Sequence, residues 1–166
     1  MALPKLDVPT YELVVPSTEE KIKYRPFLVK EEKILLIAME SGNNEDIIQA
    51  VKQIVSECTF NKLKLGNMPM FDVEYIFLQI RSKSVGEVSK LKVLCRDDGE
   101  TYANVEVDLT EIEVQVNDDH TNKIELTDEM GVIMKYPTID SFSTAGISDI
   151  TPDNMLDVIV TGIDKI

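Results

Sequence analysis

The 166-residue chain has no tryptophan, one histidine and only two cysteines, Cys58 and Cys95. Two cysteines cannot build a disulfide framework, so a reducing compartment is the expected setting. No apolar run approaches the ~18–20 residues that span a bilayer. The opening MALPKLDVPT has no basic stretch followed by an apolar one, and it is not expected to act as a secretory signal. The sequence also lacks a Gly-x-Ser-x-Gly elbow, a Walker phosphate loop, a Gly-x-Gly-x-x-Gly fingerprint and a His-Glu-x-x-His pair. The lone histidine, His120, lies in the polar loop Asn117–Asn122 and reads as an exposed turn residue, since base catalysis needs an oriented, partly desolvated group. Nothing in the pattern asks for an enzyme or a cofactor.

Basic residues are scarce in one place. Residues 97–129 hold Lys123 against 12 acids, whereas residues 1–96 are balanced, with 14 bases and 13 acids. Most of the net charge of −13 therefore belongs to one 33-residue stretch. A chain this acidic is a poor general binder of nucleic acid or of an anionic membrane, because phosphate contacts need clustered Lys and Arg. What is present is an ordinary globular mixture, 43% apolar and 28% charged, long enough to bury a core without staples.

Periodicity divides the chain into an extended arm (1–10), a β-hairpin plus three helices (11–83), an antiparallel β region (84–136) and a C-terminal helical segment (137–166), read together as one compact α+β unit. Tyr11, Leu13 and Val15, then Ile22 and Tyr24, alternate around the breaker cluster 16–20 and predict the hairpin. Residues 29–41 contain the apolar run Ile34–Met39 and predict a mostly buried helix. Ile47, Val51, Ile54, Val55 and Cys58 fall on one face of a second helix. A third starts near Pro69 and places Val73, Ile76, Phe77 and Ile80 on one stripe. Beyond Gly86 the period becomes two, with Leu91, Val93 and Cys95 on one strand and Ala103, Val105, Val107 and Leu109 on the next. The apolar set shifts phase at Thr110-Glu111 to Ile112, Val114 and Val116, which predicts a bend or bulge followed by more strand. Ile124 and Leu126, then Val132, Met134 and Tyr136, continue the β pattern. Residues 139–146 suit a short helix. Thr151-Pro152-Asp153 suits the start of a last one, with Met155, Ile159, Ile163 and Ile166 on its face.

Three groups of residues could carry chemistry. Cys95-Arg96-Asp97-Asp98-Gly99 has the shape of half a zinc knuckle, with Asp98 where a second cysteine would sit. A structural zinc site needs a second ligand pair that is missing here, so Cys95 and Asp98 are metal candidates only against the alternative of a β-turn. The Asp97-Asp98 and Asp118-Asp119 pairs lack the spacing that wraps oxygens around calcium. Glu106, Asp108, Glu111 and Glu113 crowd like charge along a strand, as either the wet face of a sheet or a docking surface for a basic partner.

Four segments carry a resemblance: Lys21–Lys33 (KIKYRPFLVKEEK), Phe71–Arg81 (FDVEYIFLQIR), Val93–Glu100 (VLCRDDGE) and Gly131–Thr138 (GVIMKYPT). Jointly and in this order, the chain resembles the baseplate hub assembly proteins of T-even-type contractile-tailed phages. Its opening hairpin and helix also look like those of phage tail-assembly chaperones. In related sequences the Cys95 turn looks like a fuller zinc knuckle, and Asp98 departs from that pattern. Members of the family usually continue beyond the point matching Ile166, so the natural chain is expected to extend further. The resemblance implies a non-enzymatic protein of tail morphogenesis, made in the host cytoplasm and acting on, or retained in, the virion baseplate. Its expected partners are other hub or tail proteins, with a homo-oligomer also compatible. Lys21, Lys23 and Arg25 and the acids Glu106, Asp108, Glu111 and Glu113 are the expected partner-binding residues. The competing class is an acidic inhibitor or DNA mimic that binds a nucleic-acid enzyme. The charge balance of residues 1–96 counts against it, because a mimic needs carboxylates over a long surface.

Overall fold

Alternation of apolar and charged residues pairs Tyr11–Val14 (β1) with Lys21–Tyr24 (β2) in an antiparallel hairpin, Leu13 opposite Ile22 and Tyr11 opposite Tyr24. A computed structural model describes residues 7–117, 119–128, 130–144 and 155–166. Leu13, Val15, Ile22 and Tyr24 turn inward, and Glu12 and Lys23 pair across the outer face at 3.5 Å. The connection is held from the core side. Asp72, fully buried, accepts hydrogen bonds from the Ser17 backbone N–H (3.0 Å) and from its hydroxyl.

Helix α1 (Val29–Ser41) ends at Gly42, and Asn43 caps α2 (Asn44–Cys58), its Oδ1 accepting from the Glu45 N–H at 3.0 Å. Glu45 and Asp46 occupy the first turn, where the helix dipole favours acids. The predicted α2 stripe is the buried one: Ile54, Val55 and Cys58 are inaccessible and meet Val73, Ile76 and Ile80 of α3 (Met70–Val85) in one core with the hairpin. Each such aliphatic side chain contributes ~1.5–3 kcal/mol by leaving water.

Helix α1 departs from expectation. Only Glu31 and Ala38 are buried in it, while Leu36, Ile37 and Met39 are more than half exposed. Consecutive apolar residues point around the whole circumference of a helix, and among the described residues α1 packs chiefly against α2.

Val88–Leu94 (β3) and Tyr102–Asp108 (β4) form the second antiparallel hairpin, Leu91 opposite Val105 and Lys90 opposite Glu106. The bend expected at Thr110-Glu111 is a single 3-10 turn, Leu109–Glu111, with Leu109 buried beside α3 and its N–H bonded to the Glu87 carbonyl at 2.8 Å. The strand expected from Ile112 to Val116 does not form. That segment belongs to no helix or strand, because no described strand lies beside it.

A third sheet has the order β5-β6-β7, from Lys123–Glu125, Gly131–Met134 and Ile163–Lys165. Its last strand corrects the reading of the C-terminus. Helix α5 covers Met155–Thr161 and stops at Gly162, after which Ile163 pairs with Met134 and Lys165 with Ile133. The apolar spacing that suited a continuing helix also suits a strand, and pairing with β6 decides between them. The suggested helix start at 151–153 lies outside the described residues. Helix α4 is Ile139–Thr144, and residues 145–146 of its expected span also lie outside them. Ile139 joins the main core, Asp140 pairs with Lys52 of α2, and a Cβ at Gly66 would overlap the Asp140 carboxylate.

Candidate functional site

Lys21 and Lys23 alternate with the buried Ile22 and Tyr24, so the pleat sends both lysines outward. Arg25 does not extend that face. Its side chain is 14% exposed, and the guanidinium donates to Glu31 Oε1 at 2.8 Å and to the Pro26 carbonyl at 3.0 Å, which holds the hairpin to α1. Glu31 is fully buried and also accepts from the Leu28 backbone N–H at 2.8 Å, with Lys30 at 3.2 Å. Burial alone would raise its pKa, but hydrogen bonds from Arg25, Leu28 and Lys30 outweigh burial and lower it to about 2.

A groove of about 610 Å³ opens beside β2. One wall is Lys21 and Lys23; the other is Lys62 and Lys64, with Leu63 and Met68 among its apolar lining. Sequence reading missed the second pair. The available signal was the alternation Lys62-Leu63-Lys64-Leu65. What brings it alongside β2 is the exit from α2, where Phe60 and Asn61 both adopt left-handed backbone angles, φ 60° and 56°. The Asn61 N–H bonds back to the Ser56 carbonyl at 2.8 Å. Two consecutive non-glycine residues in that region are costly, and the turn they make reverses the chain onto the strand.

The four acids lie at one end of the second hairpin, all exposed. Glu106 and Asp108 share a face of β4, and Glu106 pairs with Lys90 at 3.1 Å. Asp108 accepts from the Thr110 hydroxyl (2.6 Å) and N–H (2.8 Å), which lowers its pKa and fixes the turn. Glu111 and Glu113 follow on the segment that the sheets leave unpaired. The opposite face of the hairpin is apolar, yet Leu91, Val93 and Val105 stay 39% to 48% exposed.

Asp98 acts as a turn residue. It accepts from the N–H groups of Glu100 (3.1 Å) and Thr101 (3.0 Å) and from the Thr101 hydroxyl, and these bonds lower its pKa to about 2. Gly99, at φ 68°, supplies the left-handed position the turn requires. Among the described residues no three His, Cys, Asp or Glu side chains cluster as metal ligands. His120 is exposed; its ring stacks on Tyr136 at 5.8 Å, with Nε2 2.8 Å from the tyrosine hydroxyl. These two residues line a shallow groove of about 730 Å³ against β6 and β7. No helix among the described residues is long and apolar enough to cross a membrane.

Comparison with protein families finds one whose model, described as T4 bacteriophage base plate protein, matches residues 8–166. The chain belongs to that family. The match runs from before β1 to the end of the chain, so hairpin, helices and all three sheets are covered by base plate family membership. A baseplate protein works among other tail proteins. Searches of curated proteins and of solved structures found no match.

Proposed function

We propose that the chain assembles the central hub of the baseplate through protein–protein contacts, without catalysis, and that it works in the cytoplasm of the infected cell. Whether carried into the virion or released, it would present its surfaces to other hub or tail proteins. The observation that carries this reading is the β3–β4 hairpin: an apolar face and a charged face, where Lys90 and Lys92 lie among Glu106 and Asp108, are both open to water. A contiguous exposed apolar face is a feature of surfaces that meet a partner. Glu106, Asp108, Glu111 and Glu113 beside it would steer a basic surface into register.

The test replaces all four acids by lysine and asks whether the variant complements hub assembly during infection. Loss of hubs, with the circular dichroism spectrum unchanged, is the expected result. Normal assembly by a folded variant refutes acidic docking. Capture from infected lysate, with identification of the bound proteins, checks the class of partner: tail proteins agree with the proposal, and a nuclease or polymerase overturns it.

A further inference from the structure

Two features of the fold are each incomplete and match one another. The first is the outer edge of β2. The Val15 N–H bonds to the Glu20 carbonyl at 2.9 Å, so alternation along the antiparallel ladder turns the N–H and C=O of Lys21 and Lys23 away from β1. The next residue of that parity, Arg25, shows the direction: its N–H leaves the hairpin and bonds to the Cys58 carbonyl at 3.0 Å. Among the described residues nothing pairs with the outward backbone groups of Lys21 and Lys23. This open edge runs along the groove whose far wall carries Lys62 and Lys64. No ion pair to Lys21, Lys62 or Lys64 is formed among the described residues, and the groove's one acidic lining residue is Glu20.

The second feature is the segment Glu111-Ile112-Glu113-Val114-Gln115-Val116. It alternates strictly between polar and apolar, and Ile112 has extended backbone angles (φ −76°, ψ 120°). Yet no described backbone group bonds to residues 112–116, and Val116 is 70% exposed. A β-forming sequence whose backbone pairs with no described strand is a strand without a sheet.

We propose that the 111–116 segment of one copy adds as a strand to the β2 edge of another. Strand addition supplies backbone hydrogen bonds, and alternate side chains supply the specificity. Ile112, Val114 and Val116 would continue the Ile22 side of the sheet, over Leu63 and Met68. Glu111 and Glu113 would fall on the Lys21–Lys23 side, repeating beyond β2 the Glu12–Lys23 pair that β1 already makes. The occupant is a second copy because one sequence carries both halves: a groove walled by four lysines, and an acidic strand drawn from the stretch with 12 acids and one base. The contact is head-to-tail, so two reciprocal contacts close a dimer and single ones propagate a ring or a filament. This deepens the proposed function by naming what fills the β2 edge, but it is tested on the purified full chain alone. A monomeric protein that still assembles hubs would remove this inference and leave that reading standing.

Sedimentation velocity over a concentration series reads the outcome. At about 25 mM salt the full chain should associate in the micromolar range, and at about 500 mM its apparent dissociation constant should rise at least ~10-fold. Reversing the groove (K21E/K23E/K62E/K64E) or the strand (E111K/E113K) should each weaken association by at least ~10-fold, and mixing the two variants should restore it to within ~3-fold. The control D97K/E100K makes the same charge change as E111K/E113K at the β3–β4 turn and should move the constant by less than ~3-fold. A monomer throughout the low-salt series overturns the proposal. So does association that survives both reversals, or a control that weakens it as much as E111K/E113K does.

Discussion

Replacing Glu31 by glutamine keeps its size and removes the charge from a carboxylate that the fold hides completely. The wild-type pKa near 2 lies below the ordinary 4.5, so the folded state favours the ionised form. That gap corresponds to about 3 kcal/mol of stability. The contribution is fully present above about pH 4.5 and is lost as pH falls towards about 2. In E31Q the Arg25 guanidinium stays buried against a neutral amide, a defect known to be costly where one partner of a buried ion pair is removed. Urea unfolding at neutral pH should therefore show E31Q less stable by about 3 kcal/mol, with a melting temperature lower by ~6–12 °C. The acid series is the sharper measurement. Asp98 and Asp108 also have lowered pKa values, but they lie outside the Glu31 network and cancel in the difference; Glu57 shares Lys30 with Glu31, so the comparison is repeated in an E57Q background to remove its titration. The gap between wild type and E31Q should close as pH falls from about 5 to about 2. A neutral-pH difference below ~1 kcal/mol, or a gap independent of pH, would refute the claim that this ion pair fastens the hairpin to α1.

Two further outcomes follow from the same core. Cys58 is inaccessible and burial pushes its thiol up to about 11, whereas Cys95 is partly exposed; a thiol reagent at neutral pH should label Cys95 at once and Cys58 only at the rate of core opening, and equal rates would contradict the packing. Asp72→Ala removes the acceptor of both Ser17 bonds and should cost ~1–3 kcal/mol in urea unfolding while speeding hydrogen exchange at the Ser17 amide; a loss under ~0.5 kcal/mol would mean the loop is held otherwise.

The helical core was legible because its spacing admits one solution. Ile54, Val55 and Cys58 on α2, and Val73, Ile76 and Ile80 on α3, could be buried together only as two facing helices. Where a pattern suits two structures, the chain alone could not decide. Ile34–Met39 is apolar on every side, and burial there depends on how many neighbours α1 has. Ile163 and Ile166 fit a helix until β6 is seen to need a partner. Ile112–Val116 reads as a strand and is missing only the sheet. The surfaces were half legible. Lys21 and Lys23 and the acids from 106 to 113 stand out locally. Arg25 looked equivalent to the two lysines until Glu31, six residues on, was found beneath it. Lys62 and Lys64 join the site through the left-handed pair Phe60-Asn61, which carries no glycine to announce it.

The route of the chain around α3 has a mechanical consequence. The β region leaves at the helix's C-terminal end, where Lys83 pairs with Glu87 and Leu109 is buried. It returns at the N-terminal end, where Tyr136 packs edge-on against Phe71 at 4.9 Å, the Met70 N–H bonds to the Pro137 carbonyl, and Pro69 bridges Thr138. Sixteen helical residues separate those moorings by about 24 Å. A pull on the hairpin tip would therefore reach the core at the C-terminal mooring, where both of its strands enter, while the N-terminal mooring separately ties down the chain that follows. In an assembly that transmits force, such separate moorings let the exposed hairpin bear load without drawing on the chain that returns at the helix's other end.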